Sequence, residues 1–537
     1  MTMVENELKA QVDNLIRIGI ALSSELDIDE LLEMIVDESR RFTRADGGTL
    51  YILSDDKKYL RGKIVQNDTL ETRIGGTSPV EIDEQVFAPI PLAVDGQMNH
   101  ANVSAFVANT GRSVNIEDVF ETEEFDFAGP RLFYEKVGFR TKSMLVVPLR
   151  NHEDDIIGVM MLLNAQDTDQ DVVIPFSLDH QNLISALASQ AAVGITNAQL
   201  IQNLQNLFDA FIQSIASAID EKSTYTGGHI RRVADLTMML AEEINQTEEG
   251  FWGRLNFTED ELNELRISAW MHDVGKITTP EYVVDKATKL ETIFDRVEIV
   301  RTRYEVLKRD AEIAALKKKI ALMGEDEPEG WADVERSLEQ QLTEVGEELA
   351  FISQCNTGGE YMADEDLERI RKIASQTFLL GGEPHARLTK NEAHNLSIRK
   401  GTLTDGERDV INNHAAVSVK MLSQLPFSKN LSKVPEYAGG HHEKLNGQGY
   451  PEGLAAEELP LQARIMAVGD ILEALTAPDR PYREPMPLSQ ALKIIDFMVK
   501  DGELDGKIVD LLINSGLVFR YADKELHKDQ NDVKQGE

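Results

Sequence analysis

His441-His442-Glu443-Lys444-Leu445-Asn446-Gly447-Gln448-Gly449-Tyr450-Pro451 sets two adjacent imidazoles and a carboxylate just before a glycine-rich loop. Upstream, the same residue types recur on predicted helices. His414 ends Ile411-Asn412-Asn413-His414. His272-Asp273 lies near the end of a helix in Trp270-Met271-His272-Asp273-Val274-Gly275-Lys276, where Gly275 can stop the turn. His229 follows Gly227-Gly228 and opens a helix whose inward face continues through Val233, Leu236 and Leu240. Downstream, Asp470 falls on a predicted helix, 463–475, beside apolar Ile465, Met466 and Val468. From about residue 223 onward strand patterns nearly vanish, which predicts an all-α bundle around these groups.

Several imidazoles and a carboxylate facing an apolar interior are expensive unless paired or bound to metal. A lone helix histidine is more often a hydrogen-bonded core residue, and an His-Asp dipeptide arises by chance. Five such histidines in these contexts point instead to a metal site. Imidazole suits Fe, Mn and Zn, and a bridging carboxylate can hold two ions with a water between them, the arrangement that attacks phosphorus in line.

A formal net charge of −38 argues against a broad nucleic-acid surface, which needs clustered Lys and Arg. A phosphate-bearing substrate must therefore meet a local positive site. The longest purely apolar run, 156–163, is far short of the roughly 20 residues of a membrane span, and residues 1–10 are acidic and polar with no apolar signal region. A single cysteine, Cys355, excludes an internal disulfide and a thiolate zinc cluster, so a cytoplasmic location is expected.

The chain of 537 residues is too long for one core, and its pattern divides it. Residues 1–196 read as an α+β sensor unit. Leu15, Ile18, Leu22, Leu31 and Ile35 recur at helical spacing, while 48–53, 143–149 and 156–164 are strand-like, the last two joined by a turn at 151–155. A linking helix follows over 197–222, where Leu200, Leu204, Leu207 and Phe211 alternate spacings of four and three. That seam fits either packing within the chain or a parallel homodimer stalk. The bundle then occupies 223–290 and 396–520, interrupted by an insertion at 291–395, with a polar tail at 521–537. Within the insertion Ile293, Val297, Val300, Tyr304, Leu307 and Ala311, then Leu338, Leu342, Val345, Leu349 and Ile352, form two heptad runs on either side of 324–330. They predict an antiparallel coiled-coil hairpin with a charged, solvated outer face.

These motifs, with Arg480-Pro481-Tyr482-Arg483, resemble the HD-GYP subgroup of HD-domain metal-dependent phosphohydrolases. The string from His441 to Pro451 is the discriminating part. The resemblance implies a cyclic di-GMP phosphodiesterase with Fe or Mn ions in a helical bundle. Residue by residue, it implies that His229, His272, Asp273 and Asp470 hold one ion and Asp273, His414, His441 and His442 a second, with Asp273 bridging. Lys276, Arg480 and Arg483 would contact substrate phosphates, and Gly447, Gly449 and Tyr450 would shape the loop over the site. The alternatives are a solvated helix-end lysine for Lys276 and a packing role for Tyr450. A GGDEF-type protein is an implied partner.

Tyr225 stands where members with a third metal carry Glu, which favours a dinuclear site. Pro478 adds a residue before Arg480, and Glu473 replaces the family's usual Asp. Glu473-Ala474-Leu475 spells the name of a different hydrolase family by coincidence. The N-terminal unit resembles a GAF domain through 143–149, 156–164 and Gln190-Ala191-Ala192-Val193-Gly194-Ile195-Thr196-Asn197-Ala198, with only a partial match to cyclic-nucleotide-binding members. The competing functions are a non-catalytic cyclic dinucleotide receptor and an HD-type nucleotide phosphohydrolase.

Overall fold

The computed structural model describes residues 27–167, 170, 172–222, 228–323, 328–359, 361–477 and 485–533. The heptad positions Leu15 to Leu22, the third-metal position Tyr225 and the Arg480 to Arg483 motif lie outside the described residues. The chain divides into two compact units, 1–208 and 209–537.

In the first unit, helix α1 (Ile28–Thr43) leads into strands β1 (Ala45–Leu53), β2 (Tyr59–Asn67), β3 (Thr72–Gly75), β4 (Val114–Ile116), β5 (Met144–Arg150) and β6 (Ile156–Asp167). They form one antiparallel sheet in the order β3-β2-β1-β6-β5-β4. Asn151 donates its amide to the Asp155 carbonyl at 3.0 Å in the β5–β6 turn. Alternate residues of β5 serve opposite faces, as strand geometry requires. Leu145, Val147 and Leu149 pack beneath α1 and the first turns of the long helix α2 (Leu178–Asp220), whereas Met144 and Val146 join Val107, Phe125 and Phe127 on the other side. This is the α+β fold that the N-terminal pattern predicts.

The second unit is helical. Its main core joins α3 (His229–Gln246), α4 (Glu259–Met271) and, beyond the insertion, the helix Leu461–Thr476 through Leu236, Leu240, Leu265, Ile465 and Leu472. The insertion opens with α5 (Val297–Leu322) and α6 (Pro328–Asn356), which run antiparallel: Lys319 pairs with Glu335 at 2.6 Å, and the Tyr304 hydroxyl donates to Glu348 at 3.1 Å. Val300, Tyr304, Val345 and Ile352 fill the seam between them.

Two readings of the sequence are corrected. The insertion is more than a coiled-coil hairpin, since it continues into helix Asp364–Ser375 and a two-stranded ribbon, Thr377–Leu380 with Glu383–Ala386. That ribbon turns on Gly381 and Gly382, both at positive φ, which is the geometry of a tight hairpin. The polar tail is not free either. Helix Leu517–Glu525 buries Tyr521 and Ala522, and Gln530 donates its side-chain amide to the Thr476 and Met486 carbonyls at 2.9 and 3.2 Å.

Candidate metal centre

Helix α3 begins at His229, so this imidazole stands at a helix start, directly after Gly228 at φ +83°. Helix α4 ends at Met271, and its C-cap His272 and the following Asp273 leave the helix into a 3-10 turn, Val274–Thr278. Helix α7 (Asp405–Leu422) carries His414, the 3-10 turn Gly440–His442 carries His441 and His442, and α8 (Leu461–Thr476) carries Asp470.

A glycine lets the His-Asp turn and α7 meet. A Cβ on Gly275 would lie 2.0 Å from the His414 carbonyl oxygen, so any other residue would push the His-Asp turn off α7. Ser418, one turn beyond His414, fixes the contact. Its Oγ accepts from the Gly275 amide at 2.9 Å and donates to the His272 carbonyl at 2.8 Å.

The seven sequence-derived ligand candidates come together in two groups, His229 with His272 and Asp470, and Asp273 with His414, His441 and His442. Asp273 faces both. Its Oδ2 lies 3.5 Å from His229 Nε2 and 3.2 Å from His272 Nε2, while its Oδ1 lies 3.2 Å from His414 Nε2 and 3.9 Å from His441 Nε2. Asp470 reaches His229 Nε2 at 3.4 Å and His442 Nδ1 at 3.8 Å. Behind the rings, His272 Nδ1 meets the Ala269 carbonyl and His441 Nδ1 the Ala438 carbonyl, each at 2.6 Å, and His414 Nδ1 meets the Ile411 carbonyl. Those contacts hold each ring with its Nε2 aimed at the centre. Among the described residues, Nε2 of His272, His414 and His441 and Oδ1 of Asp273 are buried without a hydrogen-bond partner. Orphaned acceptors converging in this way fit divalent cations, which could be held by both groups.

Lys276 donates to Asp273 Oδ2 at 2.6 Å, so it is a partner of that carboxylate rather than a solvated helix-end lysine. The Tyr450 ring packs 4.8 Å from the His442 ring. Its loop is held by a residue that the sequence analysis left without a role: the buried Glu443 carboxylate accepts from the amides of Glu452, Gly453 and Leu454 at 2.7, 3.1 and 2.9 Å. Gly447 is at φ +73°, and a Cβ on Gly449 would sit 2.4 Å from Glu443 Cα.

A second residue gains a role. Glu473, read as a departure from the family pattern, turns inward fully buried. One oxygen accepts from Arg232 Nε at 2.7 Å and the other meets His229 Nδ1. Spacing could have found both residues, since Glu473 lies three positions after Asp470 and Arg232 three after His229, each pair sharing a helix face.

Residues 27–195 match the family model described as GAF domain, and residues 226–352 and 390–508 match two models described as HD domain. The chain is similar to the 3'3'-cGAMP-specific phosphodiesterase 1 of Vibrio cholerae, with 37% identity over 117 residues, 22% of this chain and 26% of that protein. It is also similar to a cyclic di-GMP phosphodiesterase of Thermotoga maritima, with 26% identity over 227 residues, 40% of this chain and 59% of that protein. It thus spans less than two thirds of the length of either. Among solved structures, the GAF domain of an Acinetobacter phosphoenolpyruvate-protein phosphotransferase aligns at 18% identity over 36% of this chain and 98% of that one, with a TM-score of 0.26. The chain therefore carries a GAF domain followed by a helical region of HD-domain sequence, and it is in that helical region that the histidines and aspartates gather.

Proposed function

We propose that the helical region hydrolyses a phosphodiester bond of a cyclic dinucleotide at two divalent ions, under control of the GAF domain. The observation that carries this reading is the divided Asp273 carboxylate, one oxygen toward His229 and His272 and the other toward His414 and His441. In this reading Asp273 is shared, His229, His272 and Asp470 complete one ion's ligands, and His414, His441 and His442 complete the other's. Nitrogen and carboxylate donors suit Fe or Mn, which when bound supply Lewis acidity to water and phosphate. Lys276 turns from Asp273 to a phosphate oxygen, and Arg480 and Arg483 add positive charge. The loop at 447–450 shields that side from bulk water, with Tyr450 against His442.

Similarity to the two phosphodiesterases makes cyclic di-GMP, opened to linear pGpG and onward to GMP, the first substrate to test, and 3'3'-cGAMP the second. Full-length protein loaded anaerobically with Fe or Mn is expected to linearise at least one of them. Tight dinucleotide binding with two bound ions and no product would make the chain a receptor and overturn the enzyme reading.

The proposal extends to assembly. Leu200, Leu204, Leu207 and Phe211 are exposed at heptad spacing on α2, which suits a parallel homodimer over 197–220. Leu204→Glu is expected to lower association in light scattering and alter turnover, and an unchanged dimer with wild-type turnover overturns the idea. No helix among the described residues is long and apolar enough to cross a membrane. The cytoplasm, where a GGDEF-type synthase would supply substrate, is the proposed location.

A further inference from the structure

Helix α5 has two apolar faces, and its own hairpin covers one. Val300, Tyr304 and Leu307 pack toward α6. At about 100° per residue, the opposite side of the helix carries Ile299, Val306, Ile313 and Ile320, each seven residues after the last, with Leu316 and Met323 between and beyond. Ile313, Leu316, Ile320 and Met323 are 48, 57, 64 and 69% exposed. The outer face is charged and solvated, as the sequence suggests, but it also carries an exposed apolar row.

Its composition selects an occupant. Written as a heptad, every a position is β-branched, and the last two d positions are Leu316 and Met323, the pattern that favours two parallel strands. Glu312 and Lys317 are then a g position and the following e position, which face each other with opposite charge across a parallel pair of identical helices. Antiparallel pairing would instead set e against e and g against g, so Glu312 and Lys317 would no longer meet. Thr302 and Arg309 occupy the upstream d positions, so the apolar part of the seam lies at 313–323. Packing on α6 already orders α5, so docking adds no cost of helix formation. We infer that a second copy of this chain covers this face, α5 pairing in parallel with α5 of the partner about Ile313, Leu316, Ile320 and Met323.

Homotypic disulfides test the geometry. Cys355 is the one native cysteine and is buried, so full-length Cys355→Ala is a clean background. Ile313→Cys and Ile320→Cys, made separately, should both cross-link to their own counterparts on mild oxidation, because a parallel pair brings both positions into register. An antiparallel pair can align only one of them with itself. Adding Leu316→Glu should abolish both cross-links while leaving the far-UV circular dichroism spectrum unchanged, since Leu316 is exposed in the single chain. Both should persist in Leu204→Glu, which separates this face from the 197–220 seam. A cross-link at neither position or at only one, insensitivity to Leu316→Glu, or loss in Leu204→Glu would each overturn the inference.

Discussion

The Oδ2 side of Asp273 and the Oδ1 side draw on the same residue types but are braced in opposite ways. On the Oδ2 side, His229 is backed by the buried carboxylate of Glu473, which Arg232 holds in place, and Lys276 stands 2.6 Å from the oxygen itself. On the Oδ1 side, His414 and His441 are backed only by neutral backbone carbonyls. Protonation follows the bracing. Burial pushes the His229 imidazole down, but Glu473, Asp273 and Asp470 together outweigh it and hold this group well above the ordinary histidine value. Burial, with His442 and His272 alongside, pushes His441 well below it, and burial takes His442 to about 3 despite Asp470. One side is an anionic pocket that already holds a proton and an ammonium group, and on the other His441 and His442 are neutral. The difference suggests that two ions of the same element would bind with different dependence on their surroundings.

The change expected to act most strongly removes what the sides share. Asp273→Ala should lower bound metal on both sides and abolish hydrolysis, checked by elemental analysis and turnover on the same preparation. Full activity in that variant would break the two-ion scheme. Glu473→Gln should separate the sides, because loss of an outer carboxylate behind a ligating imidazole typically weakens metal binding by about 10–100-fold. Competition with a chelator should show one ion weakened and the other retained. Equal weakening of both would mean that the bracing does not distinguish them.

Ser418→Ala acts on the joint between the sides. It leaves the buried Gly275 amide without its acceptor, at a cost of about 1–3 kcal/mol in stability. Chemical denaturation should register that loss. The ratio of the two metal affinities should stay as in the wild type, since the serine ties the His272 carbonyl to the helix carrying His414 and favours neither side. A change confined to one ion would show that Ser418 belongs to that side alone.

What the sequence discloses about this centre follows from how restrictive ligand chemistry is. His229, His272, Asp273, His414, His441, His442 and Asp470 could be picked out because few residue types bind cations and each lies in a local context that buries it. Glu473 was lost because family comparison framed it as a missing Asp, although its spacing from Asp470 already placed both carboxylates on one face of α8. The paired strands β5 and β6 were legible from their alternation. The ribbon at 377–386 was not, because its strands have four residues each and lie among helices, where period two has no room to show. Polar composition likewise concealed the C-terminal helix, whose docking depends on Tyr521, Ala522 and a few neighbours. Heptad spacing was the least specific signal. It marked the seam between α5 and α6, which the chain fills itself, and the α2 seam, which it leaves exposed, without distinguishing them.

The smallest effect expected is also the one that tests the contrast without mutation. With its folded-state value raised above the ordinary range, the His229 imidazole is protonated at neutral pH, and that proton stabilises the metal-free fold. The contribution is complete below the unfolded histidine value of about 6.5 and is lost as pH rises through the raised folded value. A cation can take His229 Nε2 only when the proton leaves, so binding on the Oδ2 side should release about one proton and weaken about tenfold for each pH unit below the raised value. His441 and His442 are already neutral throughout this range, so neither should release a proton when a cation binds on the Oδ1 side. Titration calorimetry in buffers of different ionisation enthalpy separates the two events, with the larger buffer-dependent heat expected for the ion on the Oδ2 side. In Glu473→Gln the buffer-dependent component should shrink, because the carboxylate that holds the proton on His229 has lost its charge. Equal proton release for both ions would show that the two sides are electrostatically alike, whatever braces them.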